Sequence, residues 1–212
     1  MRRYSETLRS ISSHSFPQTM PRVSGLLLAR MTPFTAPLVI LAVRTFALNA
    51  WAKGAEVTLI AGPGTPNSPN GIHRIDVESA KEMKDSIDGS YDYGFFTAAV
   101  TDFSLGDRKK GKPSKEDWLK DGIALERNPD VLYSNAAKFN KIIGFSVYSQ
   151  GTSLNAAQKV FKKGADYVVT NNVSNCFGHS DTDIEFFDSK LNSEEFKEVD
   201  KITLGRKILD II

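Results

Sequence analysis

The chain has 212 residues, 41% hydrophobic and 25% charged, with a formal net charge of +2; that size suits one domain and that composition an ordinary globular protein. No stretch reaches the ~18 uninterrupted apolar residues of a membrane-spanning helix, and the net charge alone points neither towards nor away from nucleic acid. The single cysteine, Cys176, excludes an internal disulfide framework and fits a reducing compartment, while His14, His73 and His179 are too scattered in sequence to suggest a His/Cys metal site.

Charge is unevenly distributed along the chain. No lysine precedes Lys53, and 17 lysines are found from there on. Six of the ten arginines lie in the first 52 residues, where Glu6 is the sole acid. An arginine-rich, serine-rich, acid-poor start resembles an organelle targeting presequence, although Pro17, Pro21, Pro33 and Pro37 would interrupt a long amphipathic helix there. An out-of-frame reading would produce the same abrupt loss of lysine and acid. Residues 1–44 are therefore set apart as an atypical segment, frameshifted or targeting, from a domain over residues 45–212.

The elements then follow in order. Residues 45–52 can form a helix with Phe46, Ala47, Ala50 and Trp51 on one side, stopped by Gly54. Glu56–Ala61 reads as a β-branched strand ended by Gly62-Pro63-Gly64, which is either a plain turn or a backbone approach to a ligand. Ile72–Val77 is a short strand. Ser79–Ile87 is a helix, with Ser79 as N-cap and Glu82 at the capping-box spacing. Tyr91–Val100 is a strand that narrows to small residues and ends near Asp102, before a loop with Lys109, Lys110 and Lys112. In open α/β sheets ligands sit at such carboxyl ends, so the carboxylate suits a metal ion and the lysines suit phosphate; a solvated basic loop is the bland alternative.

Gly122–Glu126 is a further short strand. Asn128-Pro129-Asp130 opens a helix through about Lys138, with Asp130 either capping it or leaving its N–H groups to a phosphate. Lys141–Val147 is a strand. Leu154–Lys163 is a helix closed by Gly164, on which Lys159 and Lys163 share a face, solvated or facing an anion. Ala165–Thr170 and Ile184–Phe187 are strands, and Lys201–Ile212 is a closing helix. Strands alternating with helices predict an α/β, Rossmann-like fold, with a mostly parallel sheet and helices on both faces.

Taken in order, the runs KGAEVTLIAGPG, IDVESAKEM, TAAVTDF, the lysine loop, RNPDVL, IIGFS, QKVFKKGADYVVTNNVS and DKITLGRKILDII resemble the phosphopantothenate–cysteine ligase family. That family is the synthetase half of a bacterial bifunctional coenzyme A biosynthesis protein, and the resemblance covers roughly residues 45 to 212. It implies a cytoplasmic homodimer whose substrates are 4′-phosphopantothenate, cysteine and CTP, with Mg²⁺ as cofactor and with neither nucleic acid nor membrane as a partner. It also implies that the phosphopantothenate carboxylate attacks CTP, that pyrophosphate leaves as an acyl-cytidylate forms, and that the cysteine amine then displaces CMP.

Carried over by residue, Phe96, Thr97 and Ala98 would meet the nucleotide through backbone, and Asp102 the triphosphate and its Mg²⁺. Lys110 would be the functional lysine of the loop, with Lys112 as the alternative register. Pro129, Asp130, Val131 and Leu132 would line the nucleotide site, Phe145 would pack on base or ribose, and Lys159 and Lys163 would bind phosphates. The family's Asn-x-Ser-Ser-Gly loop has no counterpart in this chain beyond a faint echo in Arg9–Ser15. The alternative is thus a catalytically impaired, nucleotide-binding remnant. An unrelated dinucleotide-binding domain is disfavoured by the lack of a GxGxxG turn.

Overall fold

The computed structural model describes residues 24–29, 45–68, 70–106, 124–173 and 181–212. Its main sheet has eight strands: β1 (Ser24–Ala29), β2 (Glu56–Ala61), β3 (His73–Asp76), β4 (Tyr91–Phe96), β7 (Phe139–Tyr148), β8 (Tyr167–Asn172), β9 (Asp181–Asp188) and β10 (Ser193–Asp200). The spatial order is β10-β9-β8-β7-β4-β1-β2-β3. Strands β3, β2, β1, β4, β7 and β8 are mutually parallel, and β9 and β10 continue the sheet antiparallel. The parallel part has the doubly wound order of a Rossmann-like fold, which reverses direction between β1 and β4. The predicted fold class is the observed one.

Why these strands read as continuous apolar runs is plain from their two-sided burial. Neighbouring side chains in a strand point to opposite faces, and both faces are covered. Leu59, Phe95, Ile143, Val169 and Phe186 enter one core cluster, while their neighbours Ile60, Phe96, Ile142, Val168 and Phe187 enter the other. The first cluster is closed by helix α1 (residues 45–52), through Phe46 and Ala47, and by α5 (Lys201–Ile211), through Leu204 and Ile208. The second is closed by α2 (Ala80–Asp85), α3 (Val131–Asn135) and α4 (Ser153–Phe161), through Met83, Leu132 and Val160.

Several boundaries differ from expectation for identifiable reasons. Strand β4 stops at Phe96 rather than Val100, because pairing with β1 and β7 ends there. At α2 the Ser79 side chain caps as expected, accepting from Glu82 N at 3.1 Å, whereas the Glu82 carboxylate reaches Glu78 N at 2.7 Å. Helix α4 ends at Phe161 and not Lys163: Gly164 turns with φ +105, and its N–H bonds back to Phe161 O. Strand β1 comes from the arginine-rich segment and pairs between β2 and β4.

Strand β10 escaped the reading because its sequence, SEEFKEVD, buries only Phe196. It is a charged edge strand with a register shift between Phe196 and Val199. Glu198 there adopts φ +49, its N–H bonded to Asp183 Oδ1 at 2.8 Å.

A second sheet was only half anticipated. Strands β5 (Phe103–Leu105) and β6 (Leu125–Arg127) form a two-stranded antiparallel ribbon within the crossover from β4 to β7. Phe103 pairs with Arg127 and Leu105 with Leu125, and Phe103, Leu105 and Leu125 are all more than half exposed.

Candidate functional site

The site begins where β4 ends. Phe96 is buried against Phe139, ring centroids 5.3 Å apart, and Thr97 is buried behind it. From Ala98 the backbone leaves the sheet, and Thr101 and Asp102 reach solvent at the foot of the ribbon. Asn128 fastens the returning strand to this departing one. Its N–H donates to Asp102 O at 2.8 Å and its Nδ2 to Thr101 O at 2.9 Å. Pro129 and Asp130 then lead into α3. Asp130 is its N-cap, accepting from Tyr133 N at 3.0 Å, and Lys163 pairs with the other carboxylate oxygen at 2.8 Å. Of the two roles open to Asp130, capping is the one the structure shows.

These groups surround a cavity of about 360 Å³. Of the sequence-derived residues, Phe96, Ala98, Asp102, Pro129, Asp130, Val131, Leu132, Phe145 and Lys163 line it. Residues up to 67 positions apart in sequence, Phe96 and Lys163, thus meet at one place.

Three residues do not join in that way. Thr97 lies beneath the wall, 6% exposed. Lys159 is exposed on α4 and is not part of the lining. Lys163, two residues past the end of α4, lines the cavity, whereas Lys159 within the helix does not. Lys110, with its neighbours Lys109 and Lys112, lies outside the described residues. Phe145 borders the cavity, but its ring stands edge-on to Phe46 at 5.5 Å in the first core cluster. Strand alternation puts the next residue back, Gly144, on the cavity face, where a Cβ would come within 2.3 Å of Val160 Cγ1.

The charges of the site are two acids and two bases, Asp102 and Asp130 with Arg127 and Lys163. Burial pushes the Asp130 carboxyl up, but the Lys163 ammonium and the N–H groups of Tyr133 and Leu132 outweigh it, and the net shift is downward. Asp130 is thus held as the anion that both the cap and the ion pair require. Arg127 went unnoticed in the sequence. Its signal was available: it is the last residue of a short strand, directly before Asn-Pro-Asp, a position that carries a side chain into the mouth of a strand–helix connection. No group of three or more His, Cys, Asp or Glu that could hold a metal ion occurs among the described residues. Mg²⁺ makes no such demand, being bound through one or two carboxylates plus phosphates and water, and the exposed Asp102 on the cavity wall fits that donor set.

A doubly wound sheet with a polar cavity beside the carboxyl end of β4 defines a Rossmann-like α/β protein of the ligand-binding kind. The family model described as "DNA/pantothenate metabolism flavoprotein C-terminal domain" matches residues 44–212, and the chain belongs to that family. A curated relative from Borreliella burgdorferi, "Coenzyme A biosynthesis bifunctional protein CoaBC", is 29% identical over 182 residues, 78% of this chain and 44% of the relative. The chain spans less than half the length of the curated relatives it matches. Among solved structures, the C-terminal domain of a coenzyme A biosynthesis bifunctional protein CoaBC superposes with TM-score 0.71 at 23% identity, over 91% of this chain and 94% of that one. A Cab2 mutant in complex with phosphopantothenate-cysteine gives 0.67 at 11% identity, over 99% and 89%. At these identities the two structures speak for the fold. Among the described residues no helix is long and apolar enough to cross a membrane.

Proposed function

We propose that this chain carries a phosphopantothenate–cysteine ligase domain, residues 45–212 with one central strand lent by the preceding segment, and that its cavity is the CTP site. The observation that carries the reading is convergence. Nine residues chosen from separate sequence runs, among them Asp102, Asp130 and Lys163, line a single cavity next to the β4 carboxyl end. The relatives, coenzyme A biosynthesis proteins and a protein solved in complex with phosphopantothenate-cysteine, support that substrate class.

In this reading the nucleophile is the carboxylate of 4′-phosphopantothenate, so no side-chain nucleophile is needed. Attack at the α-phosphorus of CTP expels pyrophosphate and leaves an acyl-cytidylate; the cysteine amine then attacks the acyl carbon and CMP departs. Negative charge builds on phosphate oxygens, and fixed cations lower that barrier. Lys163 and Lys110 are the assigned ammonium groups. Asp102 would hold Mg²⁺, which supplies further neutralisation of phosphate charge. Phe96, Thr97, Ala98 and Pro129–Leu132 shape the pocket, and Lys159 lies further out, within reach of long-range attraction only. Phe145 contributes its backbone unless its ring leaves Phe46.

The reading includes a cytoplasmic homodimer. The support is the ribbon: an isolated two-stranded hairpin is marginal in water, yet this one exposes Phe103, Leu105 and Leu125. The test of the function is direct. Purified chain with CTP, Mg²⁺ and 4′-phosphopantothenate should release pyrophosphate and, on adding cysteine, form the amide. CTP binding with neither step would favour the impaired remnant, the reading supported by the missing Asn-x-Ser-Ser-Gly loop.

A further inference from the structure

Resting on the nucleotide reading above, we propose that Arg127 is the anchor that first captures the polyphosphate of the ligand, ahead of the lysines that the sequence singles out. The two bases of the cavity are not equivalent. Lys163 already has a counter-ion, the Asp130 carboxylate at 2.8 Å. That carboxylate is simultaneously the N-cap of α3, so releasing Lys163 to a ligand leaves a capping anion without its cation. Arg127 lines the same cavity and has no carboxylate partner among the described residues. Among the described residues, then, an incoming anion displaces no carboxylate to reach Arg127.

Arg127 is also held in place. It is the last residue of β6, paired with Phe103, and the next residue, Asn128, is tied to Thr101 and Asp102 by bonds of 2.9 and 2.8 Å. Its Cα thus sits across the ribbon from the segment that carries Asp102. Arginine in such a fixed frame offers a planar fork that grips two phosphate oxygens at once, which a lysine ammonium does not. Asp102, the residue before Arg127's partner Phe103, lines the same cavity, so a polyphosphate bridged to a divalent ion would find a carboxylate for the cation and a guanidinium for the phosphates close together. Arg127 would contact the ligand through the guanidinium and orient the chain of phosphates; Lys163 would join once the ligand is bound.

Titration calorimetry of the full chain with CTP and, separately, with inorganic tripolyphosphate tests this. Arg127→Gln is expected to weaken both by roughly ten- to a hundredfold, the worth of charge-assisted hydrogen bonds. Arg127→Lys should restore part of the loss, and Lys190→Gln, at an exposed turn outside the cavity, should change neither constant more than about twofold. In turnover the Gln variant should raise KM for CTP more than it lowers kcat, which a merely structural role would not do. If wild type and Arg127→Gln bind both ligands equally, the Arg127 assignment is wrong and the nucleotide reading stands. If wild type binds tripolyphosphate through Arg127 but not CTP, the nucleotide reading fails and the anion anchor stands. Binding of neither ligand by wild type overturns both.

Discussion

The sheet under α4 and the crossover between β4 and α3 are adjacent, but they are held by different forces. Beneath α4, Ile142, Val168 and Ala157 are essentially inaccessible and Gly144 admits no Cβ, so packing decides every position. In the crossover, β5 and β6 expose their apolar residues, and backbone and side-chain hydrogen bonds from Asn128 and Asp130 set the path. The first region tolerates almost no change of shape, and its Lys141–Asp166 pair lies outside the cavity lining. The second carries three of the four charged groups of the cavity, Asp102, Arg127 and Asp130, with Lys163 reaching in from the end of α4. Close-packed sheet and polar connection thus divide stability from chemistry, as loops on a rigid scaffold do.

The sharpest way to break this contrast is in the sheet. Ile143→Ala, at a fully buried position, should lose about 2–5 kcal/mol in urea unfolding. Gly144→Ala forces a Cβ against Val160 and should cost about 1–3 kcal/mol; retained stability would mean that β7 and α4 are looser than they look. In the crossover, Asp130→Ala removes a cap and should cost about 1 kcal/mol, while weakening CTP binding through the misplaced Lys163.

The pH dependence of Asp130 follows from its lowered carboxyl pKa. The native state there holds on to fewer protons than the unfolded chain. Its contribution is therefore complete above the ordinary value of 3.8 and disappears as pH falls through the lower native value. Compared over about pH 5 to about pH 2, Asp130→Asn should lose its stability deficit against wild type as the acid end is approached. A deficit that stays constant would mean that the ion pair with Lys163 is not formed in solution. The smallest thermal effect belongs to Leu105→Ser, within about 0.5 kcal/mol for an exposed site, but light scattering should find that variant shifted from dimer to monomer.

Much of the fold could be read from the sequence, because β2, β4, β7 and β8 are apolar on both faces and announce themselves as buried parallel strands. Strand β10 could not, since a charged edge with one buried phenylalanine has no periodicity to detect. Nor could β1, whose composition argued for a foreign segment. In the site, Asp102, Asp130 and Lys163 were legible as strand-end and helix-end groups. Lys159 lies outside the cavity lining while Lys163 is part of it, and α4 ends two residues earlier than the sequence suggested, at Phe161 before Gly164. Phe145, assigned by position in a motif, borders the cavity while its ring stands against Phe46. Arg127 was hidden by a ribbon that local sequence does not specify.

The bulge in β10 has a bearing on how copies of this chain can meet. With Glu198 in a left-handed conformation and its N–H already given to Asp183, that edge offers no straight ladder of free donors and acceptors to another strand. Open-ended stacking of sheets through this border is thereby discouraged, and charge from Glu194, Glu195 and Lys197 adds to the barrier. Assembly by fibres growing at that border is therefore disfavoured.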